Sequence, residues 1–392
     1  MPNLLVVYAT GFFSLSLFQM TALATPLWGN HLGLPIFLIG VSAACRSVVP
    51  LIYSIHLGNM IDRFGAKRMG IIFSALCAAC LLLHPLLRFD IGFMALQLLM
   101  GLATSTCWLV SLTAIARASK GQSSKAAWYA FSTSVGNTIG PLIFGFVWTH
   151  LSPTGGYLFL SLWALCLVVS FALLVRRADV VRPRMRAVDL VPTTEAYKSG
   201  WKVLRHAIVV FVIVCAFIRL GGITMFEAFY PLLLHSLGFT AATVGVLFAI
   251  SNVVSSPASL LTPSFVRLCG SEQRALSVSI ALLVVAITIT PLVTTFWPLA
   301  FLMTIYGLGT GLSMPLVLTL LARHVNAEEQ GLVGGLRATA NRLASFALPV
   351  VMGLVAQLFS VTTAFWIVGA ILVLSLIISD WLLYARHAGR RT

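Results

Sequence analysis

Five charged side chains stand inside long apolar runs of this sequence: Arg46, Arg219, Glu227, Arg337 and Arg342. A guanidinium binds a carboxylate or phosphate through two parallel hydrogen bonds, and a carboxyl can take up and release a proton. The chemistry on offer is therefore anion recognition and proton exchange rather than bond cleavage. An ionised side chain at mid-bilayer costs about 3 kcal/mol on insertion scales and more in simulations, so each of these is expected to face a cavity or a partner. Glu227 follows Arg219 by eight residues, about 12 Å along a helix axis, which excludes a direct pair on one straight helix. Gly221-Gly222 between them marks a place where such a helix can bend. A single deep acid cannot neutralise this many arginines.

Other chemistries find no support. The chain contains no Gly-x-x-x-x-Gly-Lys-Ser/Thr string for a nucleotide phosphate and no His-Glu-x-x-His or Ser/His/Asp arrangement, so neither ATP-driven transport nor enzymatic turnover is expected. His31, His84, His150 and His235 fall at one rim of the apolar runs and His56, His206, His324 and His387 at the other, and they read as interfacial side chains. Cys45, Cys77, Cys80, Cys107, Cys166, Cys215 and Cys269 lie almost entirely in apolar stretches. Cys77 and Cys80 are the one close pair, and without a second pair or a suitably spaced His they read as core-filling residues. No metal and no bound cofactor is expected.

The elements that position these groups follow from composition. Hydrophobic residues make up 59% of the 392, charged residues 9%, and the mean hydropathy is +1.00, whereas soluble domains carry roughly a quarter charged residues. A membrane-crossing helix needs about 20 apolar residues. The runs give twelve candidate spans: 4–27, 35–57, 69–87, 91–116, 126–150, 155–175, 207–234, 241–266, 274–295, 298–322, 330–358 and 362–384. The first has no basic region before it and is too long for a signal core, so it reads as a span. The fold class expected is an all-α polytopic membrane protein.

The net charge of +15 is a matter of topology. The loops after spans 2, 4, 6, 8 and 10, with the C-terminal tail and Arg274 at the first position of span 9, hold 20 of the 25 Lys and Arg. The opposite loops hold Arg88 alone. Basic loops stay in the cytoplasm, so both termini are expected there, in a plasma membrane such as the bacterial inner membrane, and nucleic-acid binding is not expected. The basic stretch 176–206 reads as a cytoplasmic linker touching anionic headgroups, between an N-terminal bundle of residues 1–175 and a C-terminal bundle with a short tail, 207–392. The halves repeat. At an offset of 205, Leu32-Gly33 matches Leu237-Gly238, Gly40-Val41 matches Gly245-Val246, Val48-Val49 matches Val253-Val254, and Gly65 matches Gly270. A duplicated six-span bundle fits this pattern.

Two strings carry a more specific signal. After span 2 comes Gly58-Asn59-Met60-Ile61-Asp62-Arg63-Phe64-Gly65-Ala66-Lys67-Arg68, in which Gly65 suits a tight turn and Asp62 is placed to cap the next helix or pair with a neighbouring cation. Span 5 contains Gly136-Asn137-Thr138-Ile139-Gly140-Pro141-Leu142-Ile143-Phe144-Gly145, small residues that let another helix approach closely. The first string resembles the loop signature of the major facilitator superfamily, and the second resembles the motif of its antiporters.

That resemblance implies two pseudo-symmetric six-helix bundles working by alternating access, with the transmembrane proton gradient as energy source. It makes Gly58, Asp62, Arg63, Gly65, Lys67 and Arg68 a conformational switch loop. Since spans 1, 4, 7 and 10 line the cavity in this family, it implies substrate contacts from Arg219, Gln19, Gln97 and Tyr306, with Arg342 and Arg46 on flanking spans and Glu227 as the proton-coupling acid. Two departures stand out: Gln97 replaces the arginine usual in drug/proton antiporters, and Arg267 replaces the acid in the second-half loop. The expected function is proton-coupled export of an anionic or zwitterionic metabolite such as a siderophore, or of amphipathic drugs; the alternative is proton-coupled import of a similar anion. A membrane-embedded enzyme or receptor would need catalytic His, Asp or Glu clustered at one membrane face. The partners expected are the small-molecule substrate and the lipid bilayer, with no obligatory protein partner.

Overall fold

In hydrocarbon a backbone has no water to bond, so apolar segments of this length satisfy their own N–H and C=O groups as helices. The computed structural model describes residues 4–119, 122–175, 207–324 and 330–388, and these form helices joined by short turns. Among the described residues twelve helices are long and apolar enough to cross a membrane. In the first half they are α1 (Leu4–His31), α2 (Ile36–Phe64), α3 (Ala66–Leu83), α4 (Asp90–Ser119), α5 (Ser123–Leu151) and α6 (Pro153–Ala172). In the second half they are α7 (Ala207–Ser236), α8 (Ala241–Leu260), α9 (Glu272–Ile289), α10 (Phe296–His324), α11 (Gln330–Leu358) and α12 (Val361–Ala388). The stretch 176–206 lies outside the described residues.

Span 8 departs from expectation. Its helix ends at Leu260, and a separate eight-residue helix, Thr262–Cys269, follows. Pro263 sits in the first turn of that helix, where its missing N–H costs nothing; within a continuing helix it would break a hydrogen bond. Span 7 runs unbroken through Gly221-Gly222. Those glycines admit neighbours instead: a Cβ at Gly221 would lie 2.9 Å from Leu348, and one at Gly222 would lie 3.2 Å from Leu283.

The duplication is visible in the backbone itself. Among the described residues the glycines with positive φ are Gly33 (69°), Gly65 (88°), Gly238 (85°) and Gly270 (77°). They form two pairs at the same offset of 205. Each pair ends corresponding segments with a conformation that a Cβ disfavours, so the repeat survives where it is structurally needed.

The chain forms two compact units. One comprises Met1–Arg186 and Ala228–Ala249; the other comprises Ala187–Glu227 and Ile250–Thr392. In the first, α1 packs on α4, α5 and α6, while α3 packs on α4 and α6. In the second, α9 packs on α10 and α12. Burial is inverted relative to a soluble protein. Thr10, Ser14, Ser42, Ser74 and Gln97 are inside, whereas Leu86, Phe146, Leu162, Leu173 and Ile377 face outward. Lipid covers such side chains at no hydrophobic penalty. Trp128 and Trp297, near the starts of α5 and α10, are also outward, as in the aromatic belts of membrane proteins.

Candidate functional site

In the second unit, α7 and α10 meet through a polar stripe. Tyr306, Thr310 and Ser313 recur at i, i+4 and i+7, which places them on one face of α10. Arg219 of α7 reaches across: its Nε donates to Ser313 Oγ at 2.7 Å, and one terminal nitrogen donates to the Thr310 carbonyl at 3.2 Å. The Ser313 hydroxyl in turn donates to the same carbonyl at 3.1 Å. Thr310 is braced from α8, donating to Ser255 at 3.3 Å. One turn away, the buried Tyr306 ring lies 4.8 Å from Phe226, the neighbour in sequence of Glu227. The Tyr306 phenol feels the charges of both Glu227 and Arg219.

Arg219, Glu227 and Tyr306 are thus brought to one seam of one unit. The guanidinium has five N–H donors, and its partners among the described residues are two neutral oxygens. Positive charge is therefore held inside the helix packing by dipoles, without a carboxylate salt bridge to Arg219. Such a group can add two parallel hydrogen bonds to an oxyanion.

The other expected contacts are distributed differently. Arg46 belongs to the first unit, where it donates to Thr21 Oγ1 at 2.8 Å and the Phe18 carbonyl at 3.2 Å, with its guanidinium 5.3 Å from the Phe18 ring. It ties α2 to α1. Gln19 is half-buried on α1. Arg342, half-buried on α11, makes no hydrogen bond to a described residue. Asp62 lies within α2, which continues to Phe64, so the N-cap position of α3 falls on Gly65 and no side chain caps that helix. The Asp62 and Arg63 side chains lie outside the described residues. In the second-half loop, Arg267 donates back to Ser264 at 3.1 Å on its own short helix.

Gln97 is buried, and its surroundings correct the reading of His84 as an interfacial residue, since His84 is only 1% exposed. The Cys80 carbonyl can only accept, so His84 Nδ1, 2.7 Å away, carries the proton. Nε2 then accepts from the Gln97 amide at 3.2 Å, and Gln97 Oε1 accepts from Thr25 at 3.2 Å. Tyr157 stacks on the imidazole at 4.6 Å. This closed network joins α1, α3, α4 and α6. The short-range signal for it was weak, because 13 residues separate His84 from Gln97 and 72 separate Thr25 from Gln97.

A second correction concerns acids. Glu227 is not alone within the spans: Asp380 of α12 is half-buried and accepts from Ser277 of α9 at 2.6 Å. Its place near the end of the last apolar run made it look like a boundary residue.

The span-5 glycines serve close approach. A Cβ at Gly136 would lie 2.6 Å from the Phe12 carbonyl oxygen, and one at Gly140 would lie 2.8 Å from Ser16, both on α1. Gly145 sits against the Ala241 carbonyl at the start of α8, and there Thr149 Oγ1 accepts from the Ala242 N–H at 2.9 Å.

Twelve candidate spans among the described residues, with internal duplication, mark an integral multi-pass membrane protein. A family profile for the Major Facilitator Superfamily matches residues 7–276 and 212–392. The chain belongs to the major facilitator superfamily and is a secondary transporter of that fold. It is 22% identical, over 84% of its own length and 83% of the relative's, to Multidrug resistance protein 1 of Bacillus subtilis (strain 168). Among solved structures it is similar to the nucleoside transporter NupG, with a TM-score of 0.81 at 15% identity over 97% of this chain and 99% of that one. It is also similar to a D-xylose–proton symporter, with a TM-score of 0.68 at 14% identity over 96% of each chain.

Proposed function

We propose that this transporter exports a small anionic or zwitterionic organic solute in exchange for protons, across a bacterial inner membrane with both termini in the cytoplasm. The observation that carries the reading is Arg219, a deep guanidinium whose partners among the described residues are the neutral Ser313 hydroxyl and Thr310 carbonyl. Positive charge kept there is stabilised by an anionic cargo and disfavours a cationic one. Glu227, on the same helix and sharing Tyr306 as a neighbour, is assigned the coupling proton. Export is supported by the Gly136–Gly145 string, which resembles the antiporter motif, and by similarity to a relative named for multidrug resistance. The cargo class is a carboxylate metabolite such as a siderophore, or an amphipathic drug bearing an acid.

Everted vesicles containing only this chain test the proposal. Acidifying the interior should drive accumulation of labelled organic anions from the medium. Arg219→Gln should weaken anion binding more than tenfold, about 1.4 kcal/mol or more, at normal abundance in the membrane. Normal transport by that variant, or a preference for cationic cargo, would overturn the anion reading; uptake confined to right-side-out vesicles would reverse the direction.

A further inference from the structure

The seam between α7 and α12 holds a cavity of about 260 Å³ that neither the switch loop nor the deep charges use. Ala207, Val210 and Val214 of α7 line one wall, and Ser375, Ser379 and Leu383 of α12 line the other. The spacings i, i+3, i+7 and i, i+4, i+8 place each set on one face of its helix. Farther along α7 the two helices touch, since a Cβ on Gly222 would lie 3.8 Å from Leu372. At the cavity the facing side chains include Ala207, Ser375 and Ser379, which are too short to fill the space.

The walls ask for no water. The Ser375 hydroxyl donates to the Ile371 carbonyl of its own helix at 2.7 Å, and the other side chains facing it are mostly hydrocarbon. A cavity of that kind stays dry or takes an apolar guest. Ile378 and Leu382 also line it and face outward, so it opens as a groove on the lipid-covered surface. It begins at the first residue of α7 and runs about 12 Å along α12, from Ser375 to Leu383. Trp381, outward beside it, is a side chain of the kind that marks headgroup level.

Charge distinguishes the end of the groove. The ten residues before Ala207 and the nine after Leu383 contain Lys198, Lys202, Arg205, Arg386, Arg390 and Arg391 and no acid. Arg386 follows Leu382 by four residues on α12, so the groove face of that helix leads to a cation. The nearby acid, Asp380, is engaged with Ser277 of α9 at 2.6 Å. We infer that the groove is a site for an anionic phospholipid of the leaflet next to the basic loops. One acyl chain lies between α7 and α12, and the phosphate meets the basic ends of those helices. Hydrocarbon around the protein is as apolar as the groove, so the shape retains a chain and the cations select the headgroup. This inference is independent of the cargo and of the coupling acid.

Native mass spectrometry of the purified full-length protein tests it, with equal amounts of phosphatidylglycerol and phosphatidylcholine of identical chains offered in detergent. Wild-type protein should retain phosphatidylglycerol over phosphatidylcholine by about tenfold or more. Ser375→Trp, which fills the groove, should lose most of the retained phosphatidylglycerol, whereas Ile377→Trp, outward on another face of α12, should keep it. Replacing Arg386, Arg390 and Arg391 together by Gln leaves the groove walls unchanged and should reduce the preference between the two lipids. Glycerol phosphate, a headgroup without chains, should displace neither. Equal retention of the two lipids by wild-type protein overturns the inference, as does a Ser375→Trp variant that retains as much phosphatidylglycerol as Ile377→Trp. An undiminished preference in the triple-Gln variant, displacement by glycerol phosphate, or a lipid-free dimer of this chain would overturn it as well.

Discussion

Arg219 and Glu227 occupy one helix, yet their surroundings differ. Arg219 is anchored to α10 by a hydroxyl and a carbonyl, which orients its remaining donors. Glu227 lies farther along α7 and shares the neighbourhood of Tyr306. If Glu227 carries the coupling proton, Glu227→Gln should abolish transport driven by a pH gradient while substrate exchange across the membrane persists. Proton-driven flux at the wild-type rate in that variant would reduce Glu227 to a structural counter-ion. A separate prediction concerns the closed His84–Gln97–Thr25 chain, which reads as structural. Removing one partner of a buried hydrogen bond strands the other, whereas removing both can be nearly neutral. Gln97→Leu should therefore destabilise the solubilised protein by about 1–3 kcal/mol, and adding His84→Leu should recover part of that loss, as read by thermal unfolding. A double variant less stable than the additive sum of the single ones would refute the pairing.

Helix contacts set the next group of effects. α5 approaches α1 so closely at Gly136 and Gly140 that a Cβ would meet the Phe12 carbonyl oxygen at 2.6 Å and Ser16 at 2.8 Å. Overpacking usually costs about 1–3 kcal/mol, and backbone cannot yield as a flexible side chain can. Gly136→Val should lower thermal stability by that order, and Leu142→Val, on the outward face of α5, should have little effect. Equal losses in the two variants would show that the small residues are not there for close packing. The α2–α3 turn calls for a kinetic test. Gly65 takes a positive φ between two helices, and Asp62 lies on the last turn of α2, about 24 Å along that helix from Arg46. Asp62→Asn should lower the maximal transport rate and leave binding within a few-fold. Lost binding with an unchanged maximal rate would contradict a switching role.

For the whole molecule, the distribution of Lys and Arg predicts one orientation. A fluorescent cytoplasmic reporter fused after Thr392 should be active, and a periplasm-dependent enzyme fused in the loop at Arg88 should be active as well. An inactive C-terminal fluorescent reporter paired with an active periplasmic one at the same site would invert the topology. Architecture was legible at this scale because it depends on quantities that any sequence displays. Length and hydropathy set the span count, since a bilayer demands about 20 apolar residues per crossing. The repeat was legible because glycine alone readily takes the conformation required at Gly33, Gly65, Gly238 and Gly270. Arg219 and Glu227 stood out as charges in apolar helices, where an uncompensated charge needs a reason to be present, whereas Tyr306 was expected only from the family resemblance. What the residues touch was decided by the tertiary structure alone. Ser313 and Thr310 became partners of Arg219 across more than 90 residues of chain, and Thr25 became the partner of Gln97 across 72. Asn341 acquired a buried acceptor only through packing on α11. Hydroxyls and amides are common in membrane helices, and hydrogen-bond complementarity depends on distance and direction between helices remote in sequence. Periodicity assigns a residue to a face of its own helix, and only the packing of neighbouring helices determines what that face meets.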